Sequence, residues 1–273
     1  MDALHKVVSE DPGLRLHNNK DTHEILLSGV GIMHIDVTKK HLKNAYDVEI
    51  ELGVPSIGFH ETITKTASVQ GKYKKQSGGH GQYGDVHIKV EPLPRNGDFE
   101  FVNAIVGGVV PKNYIPSVEK GVKDALITGT LSGNPVVDVK VTLFDGSYHD
   151  VDSSDFAFQA AGVMAIKKAL PEAGPVILEP IMEVEIDVAE EDVGKVSKDI
   201  NARRGKVNQY DYREFTSIVS ADIPLSEMLD YTPSLRGLTQ GMGLYSMRLK
   251  SYEILVGPLA DKIIADYKKS LEE

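Results

Sequence analysis

Two breaks, Gly53-Val54-Pro55 and the run from Pro171 to Pro175, cut this sequence into three stretches, and they constrain the fold more than any other feature. Proline removes a backbone donor and fixes φ, and glycine weakens helix and strand alike, so neither periodicity runs through such a pair. Each stretch carries its own mixture of helical and alternating patterns. At 273 residues the chain is long enough for three small cores. The expectation is an α+β protein of three consecutive two-layer domains, at residues 1–54, 55–174 and 175–273.

The first stretch opens on a helical pattern with Leu4, Val7 and Val8 on one face, stopped by Glu10-Asp11-Pro12-Gly13. Short strands follow at residues 14–17 and 24–27 around the turn Asn18-Asn19-Lys20-Asp21. A second helix carries Met33, Val37 and Leu42, and residues 48–52 alternate as a closing strand. Helix, hairpin, helix, strand is a two-layer unit lacking one strand at its start, which reads as a fragment.

In the second stretch the alternation of Thr62, Thr64, Thr66 and Ser68 runs toward a glycine-rich segment and returns through Val86, Ile88 and Val90, as one long hairpin. A strand at 99–105, a helix at 115–128 and a strand at 136–143 suggest a crossover in a mixed sheet. Residues 145–152 form a polar turn, and Ser153-Ser154-Asp155 caps a helix through Phe156, Ala160, Val163 and Ile166. The third stretch reads strand 182–188, helix 191–201, strands 206–210 and 216–221, helix 224–240 and strand 244–255, the ferredoxin-like order. A last helix at 259–271 places Ile263, Ile264 and Tyr267 on one face.

The hairpin tip, Lys75 to Val86, reads KQSGGHGQYGDV. Glycine permits positive φ and leaves backbone amides open to a partner. Between Lys65 and Val90 five lysines face one acid, Asp85, a local charge of +4 on a chain of formal charge −10. A basic tip on an acidic body suits reaching into a polyanion, and a plain flexible hairpin accounts for the glycines too. The neighbouring GSYHDVDSS contains Ser147, His149, Asp150 and Asp152, reminiscent of a catalytic triad, but adjacent residues on extended chain point to opposite faces. Its two remaining readings are a polar turn with an N-cap and a second binding loop beside the tip. Arg203-Arg204-Gly205-Lys206 ends a helix, where cations complement the dipole as well as they suit RNA. Lys39, Lys40 and Lys43 read as the solvated face of a helix.

Several chemistries are excluded. Each Gly-Lys pair, at Gly71, Gly194 and Gly205, is followed by Tyr or Val, so no Walker phosphate loop is present. The nine histidines never form HExxH, and zero cysteines remove disulfides, thiolate metal sites and a cysteine nucleophile. No apolar run approaches the roughly 18 residues of a spanning helix, and no signal peptide opens the chain, so the expectation is a cytoplasmic protein without membrane contact.

KQSGGHGQYGDV, GSYHDVDSS, LEPIMEVEI (178–186), RRGKV (203–207) and PLSEML (224–229) together, in this order and spacing, resemble elongation factor G, the bacterial ribosomal translocase. The resemblance covers essentially the whole chain, onto the family's domains III, IV and V. It implies a truncated ferredoxin-like domain at 1–54, a ribosomal protein S5 domain 2-like probe domain at 55–174, and a ferredoxin-like domain with a C-terminal helix at 175–273. It also implies a first domain missing its central strand, hence the least stable part.

By position in the family, two loops would meet the tRNA–mRNA duplex in the decoding site. The first is Gln76, Ser77, Gly78, Gly79, His80, Gly81, Gln82 and Tyr83, and the second is Ser147, Tyr148, His149 and Asp150, with His149 at the tip. Glycine amides and a histidine suit sugar and phosphate contacts on an A-form helix. Lys72, Lys74, Lys75, Arg203 and Arg204 are the residues for contact with ribosomal RNA. The implied function is translocation by a monomer bound to the ribosome. GTP and magnesium are expected only in the family's N-terminal domain, with no cofactor, metal or catalytic residue here. Where the family has Gly-Met-Gly-Glu-Leu-His this chain has Gly29-Val30-Gly31-Ile32-Met33-His34, which suggests a divergent factor. The alternatives are a paralogue acting in ribosome recycling or protection, and a free-standing RNA-binding module.

Overall fold

A computed structural model describes residues 1–19, 22, 24–76 and 81–272, with the backbone alone of Ile32. The chain clusters into two units, Met1–Gly58 with Met182–Arg248, and Phe59–Ile181 with Leu249–Glu273.

The first stretch forms α1 (Asp2–Glu10), β1 (Arg15–Asn18), β2 (Ile25–Ser28) and α2 (Ile32–Tyr46). β1 and β2 pair antiparallel, Leu16 opposite Leu27. Val7, Leu14 and Leu42 are buried, with Leu4, Leu27, Ile35 and Ile50 packed around them. Asp11 accepts hydrogen bonds from the Gly13 amide (2.9 Å) and from His34 Nε2 (2.8 Å), tying the end of α1 to α2. Residues 48–52 do not form the expected strand. A strand exists through a neighbour's N–H and C=O groups, and β1 and β2 pair only with each other among the described residues. The turn expected at Asn18-Asn19-Lys20-Asp21 lies partly outside the described residues, at Lys20 and Asp21.

The second stretch holds β3 (His60–Ile63), β4 (Ala67–Lys75), β5 (Gln82–Pro92), β6 (Phe99–Asn103), α3 (Ile115–Leu126), β7 (Val139–Ser147) and α4 (Asp155–Glu172). Its sheet order is β4-β5-β7-β6. β6 runs parallel to β7 across α3, the expected crossover, and the other neighbours are antiparallel. The helices cover one face over a core that includes Val86, Ile88, Leu143 and Phe158. The long strand expected from residue 61 to the tip is two strands. The Lys65 amide donates to Ala173 O (2.9 Å) and Thr64 Oγ1 to Gly174 O (2.9 Å), which takes those residues out of the ladder. β3 instead pairs with residues 175–178, which open β8 (Pro175–Val188).

Two tip-proximal glycines serve packing. A Cβ on Gly71 would lie 2.3 Å from Ala161 O, and one on Gly84 2.5 Å from Ala157 O, so both let the α4 backbone touch the hairpin backbone. Neither has positive φ. The conformational freedom expected of the tip glycines is therefore unused at Gly84.

The third stretch continues with α5 (Val193–Ala202), β9 (Lys206–Tyr212), β10 (Ser217–Pro224), α6 (Tyr231–Leu238), β11 (Leu244–Ile254) and α7 (Pro258–Ser270). The order β11-β8-β10-β9 is the ferredoxin-like arrangement read from the sequence. α5 and α6 pack over Val184, Ile186, Val219 and Ile223, with Val196, Ile200 and Tyr231 contributed by the helices. The helix expected from Pro224 starts only at Tyr231. Pro233 tolerates a place in a first turn and would clash with the carbonyl of Leu229 in a longer helix. α7 lies with the second unit, where Tyr267 covers Gly133 and its hydroxyl donates to Gly129 O (3.4 Å).

Candidate nucleic-acid interface

The register of the hairpin sets the tip. Tyr73 lies opposite Gly84, Lys74 opposite Tyr83 and Lys75 opposite Gln82. Since side chains alternate, Tyr73 turns toward α4 and meets Phe156 edge-on, with ring centroids 5.9 Å apart. Lys72, Lys74, Tyr83 and Asp85 share the opposite face. Lys74, Lys75 and Gln76 are exposed. Ser77, Gly78, Gly79 and His80 lie outside the described residues.

The two candidate loops are joined. The Tyr83 amide donates to Asp152 O (2.8 Å), the Gly81 amide to Asp152 Oδ1 (3.0 Å), and Ser153 Oγ to Tyr83 O (3.0 Å). A Cβ on Gly81 would lie 2.9 Å from the Asp152 carboxylate, which is why this position takes glycine. The second loop is fixed internally as well. The amides of Val151 (3.3 Å) and Asp152 (3.2 Å) donate to His149 Nδ1, and the His149 amide donates to Ser153 Oγ. His149 Nδ1 also lies 3.5 Å from Asp152 Oδ2, and the side chain is 56% exposed. Ser154 Oγ accepts from the Ala157 amide (3.2 Å) and caps α4 as expected. Tyr148 and Asp150 are exposed.

The triad alternative does not assemble. Ser147 Oγ bonds Asp85 Oδ2 (2.9 Å) and Tyr83 Oη (2.7 Å), while His149 Nδ1 is taken by backbone amides. The site presents hydrogen-bond donors and cations on a fixed surface, an arrangement for binding.

Asp85 and Asp152, the residues that assemble this surface, are not among the RNA-contacting residues that the resemblance implies. Asp85 has a signal as the one acid in a basic hairpin, and Asp152 stands in the stretch read as a polar turn or a second binding loop.

Arg203 and Arg204 are separate from the tip. The Arg203 guanidinium donates to Asp199 (2.8 Å) and Glu227 O (2.8 Å), lies 5.0 Å over the Tyr231 ring and is 18% exposed. Its side chain thus holds α5 to the turn before α6, and the helix end itself is closed by the Arg203 backbone amide on Asp199 O and Ile200 O. The Tyr231 hydroxyl is pushed well above the usual tyrosine range, chiefly by burial. Arg204 donates to Glu227 Oε1 (3.1 Å) and Ser226 Oγ (2.9 Å) and remains more open.

No Gly-Lys pair forms a phosphate cradle. Gly71-Lys72 lies within β4, Gly194-Lys195 within α5 with Lys195 bonded to Asp192, and Gly205-Lys206 enters β9. Among the described residues, no group of three or more His, Asp or Glu side chains is arranged to hold a metal, and no helix is long and apolar enough to cross a membrane.

Three family models match: Elongation Factor G, domain III over residues 1–54, Elongation factor G, domain IV over 55–174, and Elongation factor G C-terminus over 176–263. An elongation factor G-like protein of Thermotoga maritima is 47% identical over 272 residues, 99% of this chain and 40% of the relative. A crystal structure of a Thermus thermophilus protein superposes with a TM-score of 0.89 at 43% identity, over 98% of this chain and 40% of that one. The chain thus spans 40% of the length of each.

Proposed function

This chain belongs to the elongation factor G family, and from that premise we propose that it is the ribosome-engaging C-terminal part of a cytoplasmic translational GTPase, promoting tRNA–mRNA translocation. The joined loops at 76–83 and 147–150 enter the decoding region and meet the codon–anticodon duplex. One observation carries this reading: Asp152 binds the Gly81 and Tyr83 amides, so two loops distant in sequence make one surface bearing Lys74, Lys75 and the His149 ring. An A-form minor groove offers phosphates and 2′-hydroxyls to such donors and little sequence to read. GTP and magnesium bind in a different part of the longer factor, and the chain acts as a monomer. Arg204 is the better candidate of its pair for ribosomal RNA, because Arg203 is committed to Asp199 and Glu227.

The test is a full-length elongation factor G whose C-terminal part is replaced by this chain. His149→Ala should slow single-turnover translocation at least tenfold, and an unchanged rate would remove the tip from the mechanism. A recycling role is the second reading, favoured by Ile32 standing where the family has an acid. Subunit splitting without translocation by the same chimaera would select it.

A further inference from the structure

Asp85 is the one acid of the basic hairpin, and its placement is specific. It lies on the central strand of three, opposite Lys72 on β4 and opposite Ser147 on β7. The residue is 5% exposed. Oδ1 accepts from Gln70 Nε2 (2.8 Å), Oδ2 accepts from Ser147 Oγ (2.9 Å), and Tyr83 Oη lies 3.4 Å from Oδ2. Lys72 Nζ stands 3.8 Å from Oδ2. Burying a carboxylate is costly unless donors surround it, and these partners come from both sides of the site.

The proton order follows from chemistry. An ionised carboxylate only accepts, so the Ser147 hydroxyl gives its proton to Asp85 and its oxygen is left to accept from Tyr83 Oη, 2.7 Å away. Tyr83 carries the two backbone groups that meet the second loop, its amide on Asp152 O and its carbonyl under Ser153 Oγ. Ser147 is the residue from which that loop departs. Asp85 therefore grips the first residue of one loop and the last residue of the other.

We propose that Asp85 is a positioning residue: its buried carboxylate, through Ser147 and Tyr83, holds the second loop in one alignment with the Gly81–Tyr83 end of the first. The alignment is a property of this chain alone. Its consequence for binding rests on the proposed ribosome-facing role.

Two measurements on the 273-residue protein test it. Asp85→Asn keeps the shape and removes the charge. Amide exchange at Gly81 and Tyr83 should accelerate about tenfold or more, while exchange at Val69 and Val90, deeper in the same hairpin, stays within twofold. Unchanged exchange at Gly81 and Tyr83 overturns the proposal, and equal acceleration along the whole hairpin overturns it too, since that is loss of the fold. Ser147→Ala, a milder change at the same contact, should give the same local pattern if Asp85→Asn proves unstable. The second measurement is ribosome affinity in a cycle with His149→Ala. If Asp85 aligns the loop of His149, then His149→Ala costs several-fold less in the Asp85→Asn background; additive losses would make Asp85 merely structural. Failure of the unmodified chain to bind ribosomes at all would overturn the proposed function and leave the exchange result to decide the alignment.

Discussion

Residues 1–54 and the third stretch carry the same two-layer plan in sequence, and they realise it to different degrees. The third stretch closes a four-strand path, β11-β8-β10-β9, under two helices, and buries thirteen apolar residues in one cluster. The first stretch has two helices and a two-stranded ribbon, and buries three among the described residues. What differs is the sheet: α1 and α2 have only a two-strand surface to cover, and residues 48–52, with a strand pattern of their own, find no ladder. A helix draws most of its stability from the surface it covers, so an incomplete sheet weakens the helices as well.

Four measurements would break or sharpen that contrast. The largest effect is expected at Ile200, wholly buried on α5: Ile200→Ala should cost about 2–5 kcal/mol in the denaturant-unfolding transition of the third region. Next, Arg203→Ala removes the bonds to Asp199 and Glu227 O and the cation over Tyr231, and should lower stability by about 1.5–3 kcal/mol. A thermal midpoint that does not move would return Arg203 to a binding role. Third, Leu42→Ala, at an equally buried position in the small cluster, should move the main transition by less than ~1 kcal/mol, because the first region opens before the rest. Its signature is loss of amide-exchange protection confined to α1 and α2. A single cooperative transition shifted as far as that of Ile200→Ala would end the distinction.

The smallest effect is in pH dependence, and the two regions should differ in sign. In the first, Asp11 is held below the usual carboxylate range by His34 and the Gly13 amide, and Glu24 by Ser56. A depressed folded pKa contributes stability above the unfolded value, near 4, that is lost as pH falls through the folded one. In the third, Lys195 is raised by Asp192, and Tyr231 by burial. Their contribution is complete below the unfolded values, near 10, and is lost as pH rises through the folded ones. Region-specific amide exchange across pH 3 to 11, in roughly these windows, should find the first region weakening at the acid end and the third at the alkaline end.

Features that depend on local pattern were legible in the sequence. The ferredoxin-like order of the third stretch and the parallel crossover through α3 follow from the periodicity within each element and the order of the elements, and the Ser154 cap rests on residues within a few positions of one another. Features that depend on a distant partner were not. Thr62 to Ser68 alternates as one strand, yet the carbonyls of Ala173 and Gly174 claim Thr64 and Lys65 and break it. Gly84 looks like part of an open tip until α4 is placed against it. At the site, family resemblance pointed to both loops as candidates, while the bonds that join them cross some seventy positions, as from Gly81 to Asp152. Arg203 and Arg204 are adjacent and chemically alike, and only Asp199, Glu227 and Tyr231 tell them apart.

The contacts of Gly71 and Gly84 with α4 have a mechanical consequence. Most helix-on-sheet seams are cushioned by side chains that can change rotamer under load. At Gly71 and Gly84 main chain meets main chain, opposite Ala161 and Ala157, and neither contact has a side chain that could rotate out of the way. A sideways push on the hairpin end would have to shift the 18-residue helix bodily, at the expense of the Phe158 and Ile166 packing beneath it. Such contacts would stiffen the hairpin against bending relative to α4.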